Sequence, residues 1–267
     1  MKAIVGQTRQ VGNSSGVLLP KEWLNKKVVV TLVEPDEREI LHRVIEILYD
    51  ENILTDSLGI YLIGSHARNK EEVDFESDID ILVITENTNK EIDKDNYQIN
   101  IISKPMLLKS LKEHPFHHFP MIYEAKTLLN SGLLSVYKNL QIDLKSKFLK
   151  DTKKVLKISE RRINLDKKLG KEKTGDAVAY SLILRLRALY IIEKIEKKQM
   201  WSKKEFLSLI GKITGNLEVY ERYLHAKRYE SRKDYSIETK DAEKIIKYIK
   251  SEMLKWENMK KRREKRG

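Results

Sequence analysis

Asp78 and Asp80 stand two residues apart at the head of an apolar run, Ile79-Asp80-Ile81-Leu82-Val83-Ile84. In a strand, a period of two puts both carboxylates on one face and sends Ile79 and Ile81 to the other. Two carboxylates at one strand edge repel each other when nothing lies between them. A divalent cation removes that cost, and Mg²⁺ is typically held by one or two carboxylates together with substrate phosphates. Upstream, Gly59 to Ile63 reads as a second short apolar strand, and it runs into Gly64-Ser65-His66-Ala67-Arg68. Gly64 lets the backbone come close to a ligand, and Ser65 adds a hydroxyl and an N–H. Successive N–H groups at such a turn, above all where a helix opens, favour phosphate. A phosphate turn followed by a pair of acids suits a nucleoside triphosphate (NTP) carried with Mg²⁺ or Mn²⁺.

The strand, the Gly64-Ser65 turn, the variable loop and Asp78-Ile79-Asp80 together resemble the nucleotidyltransferase superfamily related to DNA polymerase beta. Ala67-Arg68 and Ser77 are most similar to the small prokaryotic members, among them the antibiotic-modifying ones. The resemblance implies that Asp78 and Asp80 are catalytic and hold the metal. It places Gly64, Ser65, Arg68 and Ser77 at the nucleotide, with Arg68 neutralising charge as pyrophosphate leaves and Ser77 orienting the strand opening. In the family a third strand supplies a third carboxylate that helps deprotonate the attacking hydroxyl. Here that strand is Tyr97 to Ser103, and its outward positions are the amides Gln98 and Asn100. An amide oxygen can ligate a metal but has no charge and is no general base near neutral pH. Asp93 and Asp95 precede the strand and are the acids nearest in sequence.

The elements that must position these residues point to an α+β protein in three parts: a small β-rich N-terminal module over 1–34, a mixed sheet with helices over 36–137, and an all-α bundle over 138–267. Ile40, Leu41, Val44, Ile45 and Leu48 recur at helical spacing, so 36–52 is a helix whose apolar face covers the sheet. Glu86 to Asn96 reads as a polar loop. Helices are expected over 142–169, 176–198, 202–213, 216–229 and 239–265, with the apolar 176–198 helix at the bundle's centre. On it Arg185 and Arg187 point apart, so one or both face the cleft or pair with acids of the bundle. His114, His117 and His118 fit no common zinc spacing and read as loop or packing histidines.

The chain has 267 residues, a net charge of +12 and no cysteine, which excludes disulfides and thiolate metal sites. It shows no signal-peptide pattern and no long apolar run, so a cytoplasmic protein without membrane contact is expected. Charge is unevenly placed: residues 1–137 hold 15 Lys and Arg against 21 Asp and Glu, and residues 138–267 hold 37 against 19. A basic half beside an acidic one suggests a polyanionic partner, DNA or RNA. In the N-terminal module, strands are expected at Ala3 to Arg9, Val17 to Leu19 and Val28 to Val33. Three strands cannot bury a core alone, so this module must pair with a copy of itself or lean on its neighbour. Gln10 to Leu24 resembles the swapped-hairpin domains of the AbrB type, in a short archaeal form found beside transposon genes. That resemblance implies a homodimer and DNA binding, with Arg9, Lys21, Lys26 and Lys27 against phosphates. Two functions follow: a Mg²⁺-dependent transfer of a nucleoside monophosphate from NTP to an acceptor hydroxyl, or a DNA-binding regulator of antitoxin type whose nucleotide site has decayed.

Overall fold

The structure is a computed structural model, and it describes residues 4, 6, 8–30, 35–68, 78–227 and 236–264. The chain divides into two units, Met1–Asp36 and Glu37–Gly267.

In the first unit, β1 (Arg9–Val11) pairs antiparallel with β2 (Ser14–Gly16). Val11 faces Ser14 across the two-residue turn Gly12-Asn13, where Gly12 adopts a φ of 60°. This is the left-handed geometry that a tight hairpin demands. The strands expected over Val17 to Leu19 and at the described residues Val28 to Val30 do not form. A strand needs a partner ladder, and within one chain only the hairpin closes. Ala3 and residues 31–34, which bear on two of those expectations, lie outside the described residues.

The second unit opens with α1 (Glu37–Asp50), whose acidic first turn suits a helix N-terminus. The strands β3 (Ser57–Leu62), β4 (Ile79–Thr85), β5 (Lys90–Lys94), β6 (Tyr97–Ser103) and β7 (Lys126–Leu129) form one sheet in the order β5-β6-β4-β3-β7. Only β4 and β6 are parallel. The segment expected as a polar loop therefore contains β5, joined to β6 by the two-residue turn Asp95-Asn96. Lys90-Glu91-Ile92-Asp93-Lys94 buries only Ile92, and so charged an edge strand looks like a loop in sequence.

Alternation sorts the sheet into two faces. Ile60, Leu62, Ile79, Ile81, Val83, Ile99 and Ile101 pack under Ile40, Val44, Ile47 and Leu48 of α1. Tyr61, Ile63, Leu82, Ile84 and Ile102 face the other way, against the helices that follow. Those helices are α2 (Gly64–Arg68), between β3 and β4, then α3 (Lys104–Glu113), α4 (Pro115–Glu124) and α5 (Ser131–Lys138).

The bundle comprises α6 (Leu144–Lys168), α7 (Asp176–Glu196), α8 (Lys203–Thr214), α9 (Glu218–Lys227) and α10 (Thr239–Glu264), with a short antiparallel pair of β8 (Lys173–Gly175) and β9 (Ser236–Glu238). All five expected helices form, and α7 is central: Leu182, Ile183, Leu186 and Leu189 have no exposed surface. The core is continuous from the sheet through α3–α5 into α6 and α7. No helix among the described residues is long and apolar enough to cross a membrane.

Candidate active site

β3 delivers the chain to Gly64, which takes a φ of 71°, a conformation that favours glycine. Space demands glycine as well: a Cβ there would lie 2.0 Å from Asp80 Oδ2. The glycine bend and the second acid are thus in direct contact, brought together because β3 and β4 are neighbours and the Ile63 N–H donates to the Asp80 carbonyl at 2.9 Å.

Asp80 lies opposite Gln98 in the parallel β4–β6 ladder, on the face away from α1. Asp78 precedes β4, and its Oδ2 accepts a 2.9 Å hydrogen bond from Gln98 Nε2, so both acids gather at the same strand end. Gln98 occupies the place for which the resemblance implies a third-strand carboxylate, and there it acts as a donor to Asp78. Asp93 pairs with Gln98 from β5 and shares that face one strand further out. Asp95 turns to the opposite face and binds Arg43 of α1 at 2.6 Å. Ser77 lies outside the described residues.

The acid that sequence reasoning missed is Glu124, the last residue of α4. Its side chain is only 6% exposed. One carboxylate oxygen accepts from the Gly64 N–H at 2.9 Å and the other from Arg68 Nη1 at 2.5 Å. The signal was a lone carboxylate closing the apolar run Phe119-Pro120-Met121-Ile122-Tyr123, since a charge in such a run is buried only when paired. Its place is secured on both sides: Ile122 is fully buried, and Tyr123 stacks on Trp201 at 5.9 Å.

Burial pushes the Asp80 carboxyl up to about 6, with the negative charges of Glu124 and Asp78 adding to it and Arg68 and Lys227 opposing. Burial also raises Glu124, against the pull of Arg68, the Gly64 amide and Arg187. Arg187 of α7 and Lys227 of α9 are exposed, and both act electrostatically on the acids from the bundle side. Of Arg185 and Arg187, it is Arg187 whose charge opposes the raise of Glu124.

The donor set fits a hard divalent cation. Asp78 and Asp80 offer carboxylate oxygen from one strand end; burial, with the charges of Glu124 and Asp78 adding to it, disfavours the ionised Asp80, and a cation would relieve that cost. Among the described residues no group of three or more His, Asp or Glu is placed to hold a metal, so a cation here needs further oxygens from its ligand or from water. The histidines of α4 serve elsewhere: His118 Nδ1 lies 2.6 Å from Ser110 Oγ of α3. In the first unit Arg9, Lys21, Lys26 and Lys27 are all exposed.

A mixed sheet carrying a glycine-serine bend against an Asp-x-Asp strand is the arrangement of the nucleotidyltransferase class. Residues 41–206 match the family described as "Nucleotidyltransferase domain", and the chain belongs to that family. Residues 1–36 match a second family, described as "Putative transposon-encoded protein (DUF2080)". The match there is to a transposon-encoded family, and an AbrB-type likeness is not shown. No curated protein matches the chain. Several solved structures are similar, two of them as follows. One is spectinomycin adenyltransferase AAD(9) from Enterococcus faecialis with ATP and spectinomycin, at 17% identity over 82% of this chain and 100% of that one, with a TM-score of 0.40. The other is a nucleotidyltransferase-like protein from Exiguobacterium sibiricum 255-15, at 13% identity over 81% and 75%, with a TM-score of 0.35.

Proposed function

We propose that residues 37–267 move a nucleoside monophosphate from an NTP to the hydroxyl of an acceptor held by the bundle. The observation that carries this reading is the contact between the Gly64 bend and Asp80, with Asp78 gathered at the same strand end by Gln98. Ser65 meets the β- and γ-phosphates at the bend. Arg187 and Lys227 approach from the bundle and offset the charge of the triphosphate. Asp78 and Asp80 would hold Mg²⁺, which when bound supplies charge neutralisation at the phosphates. The acceptor oxygen forms a bond to the α-phosphorus as the bond from that phosphorus to the β-bridging oxygen breaks. Pyrophosphate departs with the bonding pair, and the hydroxyl proton passes to solvent, because Gln98 and Asn100 cannot take it. Incubation with α-labelled NTP, Mg²⁺ and cell extract should label a product. Asp78→Asn and Asp80→Asn should each abolish that label, and label surviving both would refute the mechanism.

A second reading has its own observation. Amides stand at both outward positions of β6, as expected of a site that binds nucleotide without turning it over. The protein is then a DNA-binding regulator of antitoxin type, dimeric through an AbrB-like module over residues 1–34, with Arg9, Lys21, Lys26 and Lys27 on phosphates. Nucleotide binding without labelled product, together with DNA affinity lost on removing residues 1–36, would favour it.

A further inference from the structure

We infer that Glu124 is a positioning residue of the nucleotide site, tying the Gly64 bend and the Arg68 guanidinium to one buried point so that Ser65 and Arg68 meet the triphosphate in a single arrangement opposite Asp80. The inference rests on the reading of this site as a nucleotide site. Three observations carry it. The carboxylate is 6% exposed, and its two oxygens are divided between the Gly64 amide and Arg68, one each. The residue ends α4, whose neighbouring side chains Ile122 and Tyr123 are fixed in the core and on Trp201. The element it holds, α2, has only five residues and cannot set its own direction. One consequence is that the Gly64 N–H is committed to protein, so anion contact at the bend falls to Ser65. A second is that Arg68 is needed to balance Glu124. Without Arg68, Glu124 would be an unpaired buried acid beside the place where phosphates dock.

The test is a cycle of Arg68→Gln, Glu124→Gln and the double variant, read as the Kd of labelled NTP with Mg²⁺, with Tm measured alongside. The amide that E124Q introduces can still accept from the Gly64 N–H but carries no charge to pair with Arg68, so E124Q should weaken nucleotide about tenfold while the protein stays folded. R68Q leaves Glu124 without its partner beside the docking phosphates and should weaken nucleotide binding about 100-fold. Adding E124Q to R68Q removes that unpaired acid and should restore affinity to within about tenfold of the unaltered protein, a gain that a merely structural residue would not give. A double variant weaker than R68Q, or an E124Q that lowers Tm and leaves Kd unchanged, would overturn the inference. If the unaltered protein binds nucleotide but labels no product, the proposed reaction fails and the cycle is still read in Kd. If it binds no nucleotide, both fail.

Discussion

Asp80 is held in a setting that works against its own charge: it is half-buried, pressed on the Gly64 bend, and has two other acids nearby. Its carboxyl sits at about 6 in the folded chain, above the ordinary value of 3.8. The folded state therefore retains a proton through a window where the unfolded chain has lost it. Without a cation, this residue's contribution to stability declines as pH rises through that window. A divalent cation needs the ionised form, so its affinity should fall as pH drops through about 6, by roughly tenfold per unit below it. Calorimetric titration of Mg²⁺ or Mn²⁺ at pH 5, 6 and 7 checks this, and an affinity independent of pH would remove Asp80 from the site. Gly64 invites a second measurement. Alanine there would lose about 1–2 kcal/mol to its left-handed backbone alone, and its Cβ would displace Asp80. Gly64→Ala should lower the urea midpoint and also abolish nucleotide binding; a folded variant that still binds would show that the bend does not shape the site.

At the scale of elements, the residues that aim the site are mostly in connections. Asn130 shows how. It has a φ of 66°, its side chain accepts from the Leu133 N–H to cap α5, and its Nδ2 donates to the Leu58 carbonyl of β3 at 2.8 Å. Its own carbonyl accepts from the Tyr61 hydroxyl. One residue thus fastens α5 to the strand that ends in Gly64. Asn130→Ala should cost about 1–2 kcal/mol through the lost cap, measured by urea unfolding. Asn130→Gly, which tolerates the backbone angle, should cost less. A cost below a few tenths in both variants would mean that the cap carries nothing. Such connections are also where sequence reasoning fell short. Strands β3, β4 and β6 and the five bundle helices were legible, because each has an apolar face of the right period. The Asp80–Gly64 contact followed from motif and strand pairing. Strand β5 is hidden in the sequence because four of its five residues are charged, and the Val17 and Val28 segments read as strands because β-branched content says nothing about whether a partner lies alongside. Glu124 lies 44 residues beyond Asp80, and no local pattern ties a helix-ending carboxylate to a glycine bend.

On the scale of the whole molecule, the two units differ in kind. The described residues of 37–267 bury one core that runs from sheet to bundle and another between the sheet and α1, whereas none of the described residues of 1–36 is buried. Leu18, Leu24 and Val29 are 74%, 72% and 93% exposed. Apolar surface left open on this scale, in a segment too short to build a core, calls for something to cover it. On the dimeric reading proposed above, a second copy of the same segment would meet that need with the same hairpin. The chain with residues 1–36 removed should then keep its Tm within a few degrees and bind NTP with unchanged Kd, since no site residue is lost. On that reading it should sediment as a monomer and the full chain as a dimer. Its DNA affinity should also change in character. The exposed Arg9, Lys21, Lys26 and Lys27, doubled in a dimer, would contribute counterion release. The slope of log affinity against log salt should therefore be steeper for the full chain than for residues 37–267. Equal slopes would assign nucleic-acid attraction to the basic bundle alone, and a full chain that sediments as a monomer would show that residues 1–36 find their cover elsewhere.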